Sequence, residues 1–216
     1  TDSKSIAAFT GKAAIDFESV MADVKKVVNF DSPQQFKAMQ SDILKMSESI
    51  PMAASGIADI VAAAGQAGIE RKELLQFASD AAKMGVAFDI AGKEAGAAMT
   101  GLRSIFRLTQ KDVVSVGDAY NYLSNNMDAK ASQLLEVANR AGSAGKMMGL
   151  TAQQIGALSA SFIALKTPPE VAGTAMNALF MKLSTADAQG KPFQEGLAQL
   201  GISAKKLKKS LKQDAQ

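Results

Sequence analysis

Apolar side chains recur at spacings of three and four along almost the whole chain, and Gly or Pro interrupts them about every 15–20 residues. That rhythm dictates many ordinary helices joined by short turns, and excludes one long rod. Strand alternation is nearly absent. Phe17, Val20, Met21, Val24, Val27 and Val28 share one helical face, and residues 29–31 break it. Ser32-Pro33-Gln34-Gln35 is a start signal, with a capping Ser, Pro at the first helical position and Gln three residues on. Phe36, Met39, Ile43, Met46 and Ile50 follow as a stripe that Pro51 ends. Further helices are predicted over residues 53–64, stopped by the 65–68 Gly turn; from Leu74 to near Gly85; over 92–106; from the Thr109 cap to about 125; and from Ala131 to Gly142. Thr151-Ala152-Gln153-Gln154 and Thr167-Pro168-Pro169-Glu170 read as two more capping boxes. A short helix near residues 193–200 and a Lys-rich tail close the chain. The expected fold is all-α, a multi-helix bundle of about 8–10 short helices.

The core material is unusual. With 39 Ala and 17 Gly among 216 residues, and aromatics at 6% without Trp, helices can approach closely but bury little area per residue. Composition also removes chemistry. No Cys means no disulfide, thiol nucleophile or thiolate metal site, and no His removes the commonest general base and metal ligand. A formal charge of +3 is too small to imply nucleic acid. Residues 1–10 lack the apolar core of a signal peptide, and no run of 18 apolar residues exists. Neither end carries a natural signal, which points to a segment of a longer protein.

Residues 54–68 resemble residues 131–145 at an offset of 77. Ala54, Ser55, Ala64, Gly65, Ala67 and Gly68 meet Ala131, Ser132, Ala141, Gly142, Ala144 and Gly145. After a divergent stretch, Ala95-Gly96, Ala98-Met99 and Leu102 meet Ala172-Gly173, Ala175-Met176 and Leu179 at the same offset. The alternative is coincidence in an Ala/Gly-rich chain, but the shared Ala-Gly-x-Ala-Met-x-x-Leu favours an internal three-helix repeat. The organisation expected is an N-terminal helical pair over 1–50, a first repeat unit over 51–107, a connecting helix over 108–129, a second repeat unit over 130–185, and short C-terminal helices with the Lys-rich tail over 186–216.

No catalytic, cofactor-binding or metal site is expected. Gly142-Ser143-Ala144-Gly145-Lys146 hints at a phosphate loop, but Arg140 replaces the first Gly, Met147 replaces the Ser or Thr, and no strand precedes it. Gly92-Lys93-Glu94-Ala95-Gly96 is a GxxxG whose charges suit helix packing in water. Asp16 and Glu18 border an apolar stripe and read as its solvated edge. A wall-cutting domain would need a catalytic Glu in a sugar cleft or His and Cys ligands, and the chain has no His, Cys or Trp. Lys205, Lys206, Lys208, Lys209 and Lys212 around Leu207 and Leu211 form a basic amphipathic stretch. It suits an anionic membrane or acidic partner, or a solvated helix whose Leu pair packs on the body; the second reading is preferred.

Several ordered stretches resemble one family. Asp16-Phe17-Glu18-Ser19-Val20-Met21-Ala22-Asp23-Val24 resembles the opening of the core region of phage tail tape-measure proteins. So do Ile50-Pro51-Met52-Ala53-Ala54, Ala62-Ala63-Ala64-Gly65-Gln66-Ala67-Gly68-Ile69 and Phe77-Ala78-Ser79-Asp80-Ala81-Ala82-Lys83-Met84. Ala87-Phe88-Asp89, Glu94-Ala95-Gly96 and Leu197-Ala198-Gln199-Leu200-Gly201-Ile202 continue the likeness over about residues 15–215. The resemblance implies a structural protein of a tailed phage or prophage, lying in the lumen of the virion tail. It implies a role in setting tail length and in genome delivery, with the tail tube protein, tail assembly chaperones and baseplate proteins as partners. Self-association, host membrane contact during ejection, and the absence of any small-molecule substrate or specific nucleic acid are further expectations. A membrane-active helical protein, such as a pore or toxin-like fragment, is the rival reading, and a structural bundle of a bacterial secretion machine is a third.

A core of Ala and Gly predicts low stability. A buried Leu or Phe contributes roughly 1.5–3 kcal/mol, and each buried Ala far less. Reversible denaturant unfolding is expected to give a free energy near the bottom of the usual range of about 5–15 kcal/mol. A midpoint typical of hyperstable bundles contradicts this.

Overall fold

A computed structural model describes residues 3–213, with side chains described for 11–207, 209 and 210. Eleven α-helices and one 3-10 turn make up the fold among the described residues, and no strand occurs there. The helices are α1 Ser3–Val27, α2 Pro33–Ser49, α3 Ala54–Gln66, α4 Arg71–Phe88, α5 Gly92–Phe106, α6 Gln110–Asn126, α7 Ala131–Met147, α8 Ala152–Ala164, α9 Pro169–Ser184, α10 Lys191–Gln199 and α11 Ala204–Gln213. The 3-10 turn, Ala186–Ala188, lies between α9 and α10. The all-α expectation holds, with one helix more than the upper count read from the sequence.

The chain divides into two units, Thr1–Gly101 and Leu102–Gln216, and the division falls inside α5. In the first unit α1, α2 and α4 pack on α3. Their apolar stripes meet there, so Met21, Val24, Ile43, Ile57, Ile60, Leu74 and Phe77 are all buried. Arg71 ties the α1–α2 loop to the start of α4 by donating to the Asn29 carbonyl at 2.9 Å and to Asp31 at 2.8 Å. That pairing holds the Asp31 carboxyl below the usual range. In the second unit α7 packs on α8 and α9, and α6 packs on α8. Val113, Val116, Tyr120, Leu134, Val137, Ile155 and Met176 fill its interior.

The helix starts follow local chemistry. Ser32 accepts from the Gln35 N–H, and Gln35 returns a bond to the Asp31 N–H. Thr109 with Asp112 and Thr151 with Gln154 form complete reciprocal caps. The proposed box at Thr167 does not form. Pro168 caps α9 without a side-chain bond, and the Thr167 N–H instead donates to the Phe162 carbonyl at 3.1 Å, closing the preceding helix.

Three helix ends also differ from the sequence reading. α3 continues through Gly65, α4 through Gly85, and α7 through Gly142 to Met147. In each case the glycine sits inside a helix at a packing contact. A Cβ on Gly65 would lie 2.6 Å from a Val28 methyl, and one on Gly142 would lie 3.3 Å from the Phe106 ring. The residues that turn the chain are Gly68 and Gly149, with φ of 79° and 84°, and Asp89, with φ of 55°. Gly117 is buried in α6.

Tyr120 is the largest fully buried side chain. Its hydroxyl donates to the Ala152 carbonyl at 2.9 Å, and burial pushes the phenol far above its usual range. Its ring lies against Gly156, where an added Cβ would stand 2.2 Å from ring carbon Cε1. At the chain's far end, Ala186, Leu197 and Ala204 form a small separate cluster with Phe193 and Leu207. Leu207 therefore packs on neighbouring structure while Lys205, Lys206 and Lys209 stay exposed. The side chains of Lys208, Leu211 and Lys212 lie outside the described residues.

Two glycine replacements should act in opposite directions. Gly156→Ala must displace the Tyr120 ring and is expected to cost about 1–3 kcal/mol. Gly196→Ala, at an exposed position of α10 with nothing within 4 Å, is expected to add about 0.5–1 kcal/mol. Denaturant midpoints of both variants check the signs.

Candidate functional site

The dismissed motifs occupy structural positions. Gly142 to Lys146 lies inside α7, not in a loop. Gly145 faces Ile155 and Phe180, and Lys146 donates to the Ile105 carbonyl at 2.7 Å. No backbone N–H groups there are free to cradle a phosphate. Gly92 and Gly96 both serve close packing on α3. A Cβ on Gly92 would stand 2.1 Å from the Gly56 carbonyl oxygen, and one on Gly96 would stand 3.1 Å from Ile60 Cα. Asp16 and Glu18 are exposed on α1. Among the described residues no group of three or more acidic side chains could hold a metal ion.

Among the grooves that the fold creates, two correspond to one another, one in each unit. The first, of about 530 Å³, is bounded by the α2–α3 and α4–α5 loops. Pro51, Met52, Gly56, Asp59, Val86, Asp89 and Ile90 line it. Asp59 is half-buried on α3, and burial raises its carboxyl above the usual value against the opposing pull of Lys93, with Asp23 raising it further. The second groove, of about 480 Å³, is bounded by the α6–α7 and α8–α9 loops. Asp128, Ala129, Lys130, Gln133, Ile163, Lys166 and Thr167 line it, and Lys166 pairs with Asp128 across the two loops. The first groove is thus acidic and the second carries a paired acid and two lysines. Neither brings together a nucleophile, a base and an oxyanion-stabilising pair.

No sequence pattern singles out Asp59. The grooves themselves are assembled from loops some forty residues apart, and no local pattern announces them.

The model of the family described as phage-related minor tail protein matches residues 40–216. The chain belongs to that family. A relative in the Halomonas phage phiHAP-1, described as a probable tape measure protein, is 32% identical over 216 residues. The match covers 94% of this chain and 25% of the relative, so the chain spans about a quarter of that protein's length. No solved structure matches the chain.

In this minor tail protein, Asp59 is a testable feature of the first groove. Its raised pKa means that the folded state keeps the proton to higher pH than the unfolded chain. Ionisation therefore costs stability above the folded pKa, and the cost vanishes below about 3.9, the ordinary Asp value. Asp59→Asn is expected to raise the unfolding midpoint at pH 7, with the advantage shrinking as pH falls and gone below that value. An unchanged advantage at pH 3 contradicts this account.

Proposed function

We propose that these residues are a folded helical segment of a phage tail tape measure protein, a non-catalytic component of the tail lumen. The observation that carries this reading is 32% identity to the phiHAP-1 tape measure protein over 94% of the chain. The whole protein would help to set tail length and assist genome delivery. The tail tube protein, assembly chaperones and baseplate proteins would be its partners, and several copies of it would associate.

The fold qualifies the ruler role. A ruler extends at about 1.5 Å per residue along a continuous helix. Here the longest helix is α1, with 25 residues, and the chain reverses at loop after loop. Folded into these two units, the segment is not itself a ruler, so length measurement would fall to helical sequence elsewhere in the tape. The rival reading, a membrane-active pore or toxin-like fragment, has less support. Among the described residues no helix is long and apolar enough to cross a membrane, and Leu207 is engaged in the C-terminal cluster.

We further infer that the segment is a tandem repeat of 77 residues, and that it reaches beyond three helices. α2 and α6 begin at 33 and 110 and end at 49 and 126. Their caps Ser32 and Thr109 keep the offset, as do the C-caps Ile50 and Met127. The bond from Ile90 N–H to the Gly85 carbonyl has its counterpart from Thr167 to Phe162. Gly96 meets Ala63 as Gly173 meets Arg140, again 77 residues on. Pro51, Met52, Ala53, Gly56, Val86, Asp89, Ile90 and Ala91 line the first groove, and the residues 77 further along line the second. The turn glycines Gly68 and Gly149 differ by 81, which places a four-residue insertion in the α7–α8 corner, and a shorter α8 restores the offset.

Repeating residues 108–184 once more after Ser184 in the phage gene tests the role. If the segment stays folded, mean tail length by electron microscopy should grow by much less than the roughly 115 Å that 77 added residues of continuous helix would give. Growth by the full amount would put these residues in the extended ruler. Absence of the chain from purified tails by mass spectrometry would overturn the tape measure reading itself.

A further inference from the structure

The repeat register exposes an asymmetry. Met21 and Val24 on α1 are buried, with 1% and 0% exposure. One period on, on α5, Ala98 is buried and Gly101 is half-buried, with Leu102 buried beside them. One period further, Ala175, Ala178 and Leu179 on α9 are exposed, Leu179 at 46%. Phe88, which ends α4, is buried, whereas Leu165, 77 residues on, is 79% exposed. The face of α9 that repeats α1 and α5 therefore lies open, with a large apolar side chain beside it.

The two earlier faces show what such a face takes. Val27 and Val28 of α1 lie against Gly65 of α3, and Ile105 and Phe106 of α5 lie against Gly142 of α7. In both cases the partner is a helix whose Ala and Gly residues form a low ridge. Large side chains settle on the ridge because it has no bulk of its own. In this chain both ridges are already occupied. We infer that the α9 face, Ala175, Ala178 and Leu179 with Leu165 at its edge, is a docking surface for a third ridge helix of the same kind. It takes a helix with Gly at the position of Gly65 and Gly142. The inference rests on the tandem-repeat reading. Stacked repeats cover each unit's apolar face with the next unit, and an uncovered terminal face is the place where another unit adds. Lys182, at the position of Val28 and Ile105, marks the solvated end of the face.

The chain lacks Cys, so a single introduced thiol reports on one site. Leu179→Cys and, separately, Ala175→Cys are made in the full chain and in the full chain carrying residues 108–184 repeated after Ser184. In the extended protein a third ridge follows α9 as α7 follows α5. The expected result is a thiol that reacts freely with a maleimide in the original chain and at least tenfold more slowly in the extended one. Leu200→Cys, 74% exposed and away from the face, should react equally in both. Equal reactivity at 175 and 179 in both proteins, with the inserted period helical and protease-resistant, overturns the docking surface and leaves the repeat standing. An inserted period that is unfolded and digested overturns both. Protection in the original chain that grows with protein concentration would show a second copy covering the face, and would overturn the ridge-helix assignment.

Discussion

Close approach of helix backbones at small residues is the constraint on which the rest of this fold depends. α5 reaches α3 because neither Gly92 nor Gly56 carries a Cβ, and Gly96 continues the contact one turn later against Ile60. α7 reaches α8 and α9 at Gly145, where Ile155 and Phe180 fill the space a side chain would take. Such contacts work at short range, through many small dispersion terms. They tolerate little change in shape, so the glycines fix which helices are neighbours more firmly than the apolar stripes do. The stripes say only which face points inward.

The same choice sets the energetic character of the molecule. Ala and Gly contacts bury less area than Leu or Phe would, and charges do not make up the difference. The ion pairs Lys26–Asp23, Lys72–Glu70 and Lys191–Glu195 are solvent-exposed, where each contributes little. Polar groups are still fully accommodated. No buried side-chain polar atom lacks a partner among the described residues, and the buried Ser159 donates to the Ile155 carbonyl at 2.7 Å. The interior is well ordered in chemistry yet thin in apolar area.

Much of this was legible in the sequence because it is local. Stripes at three and four, Ser32, Thr109 and Thr151 as caps, and Pro33 at a helix start each act within one turn, and each stands where the pattern puts it. Glycine was the failure. Gly68 and Gly149 end helices in the left-handed region, while Gly65, Gly85 and Gly142 lie inside helices against side chains that are distant in sequence. A single sequence shows the same letter in both cases, and only the partner decides between them. Thr167 failed for a related reason, since the two prolines after it fix the helix entry without help from its hydroxyl. The grooves were illegible because their walls come from two loops each, and Asp59 acquires its raised pKa only from burial that the fold supplies.

These properties bear on what a tape segment has to do. On the reading proposed above, the segment would have to pass through a narrow tube, and the packed helices of each unit would then have to separate. Contacts made of backbone approach and methyl groups forfeit about a quarter to a half of their attraction when they open by roughly 0.5–1 Å. Less interaction then persists at intermediate distances to hold partly opened units together. The helices themselves can survive that separation, because their hydrogen bonds are internal to each segment. Undocking without melting would turn the packed helices of each unit into a string of short helices, and Gly68, Asp89, Gly149 and Lys166, in the loops between them, each hold a positive φ. On that reading the chain would lengthen along its axis with its helical hydrogen bonds intact, at a cost that a core rich in Ala and Gly would keep low.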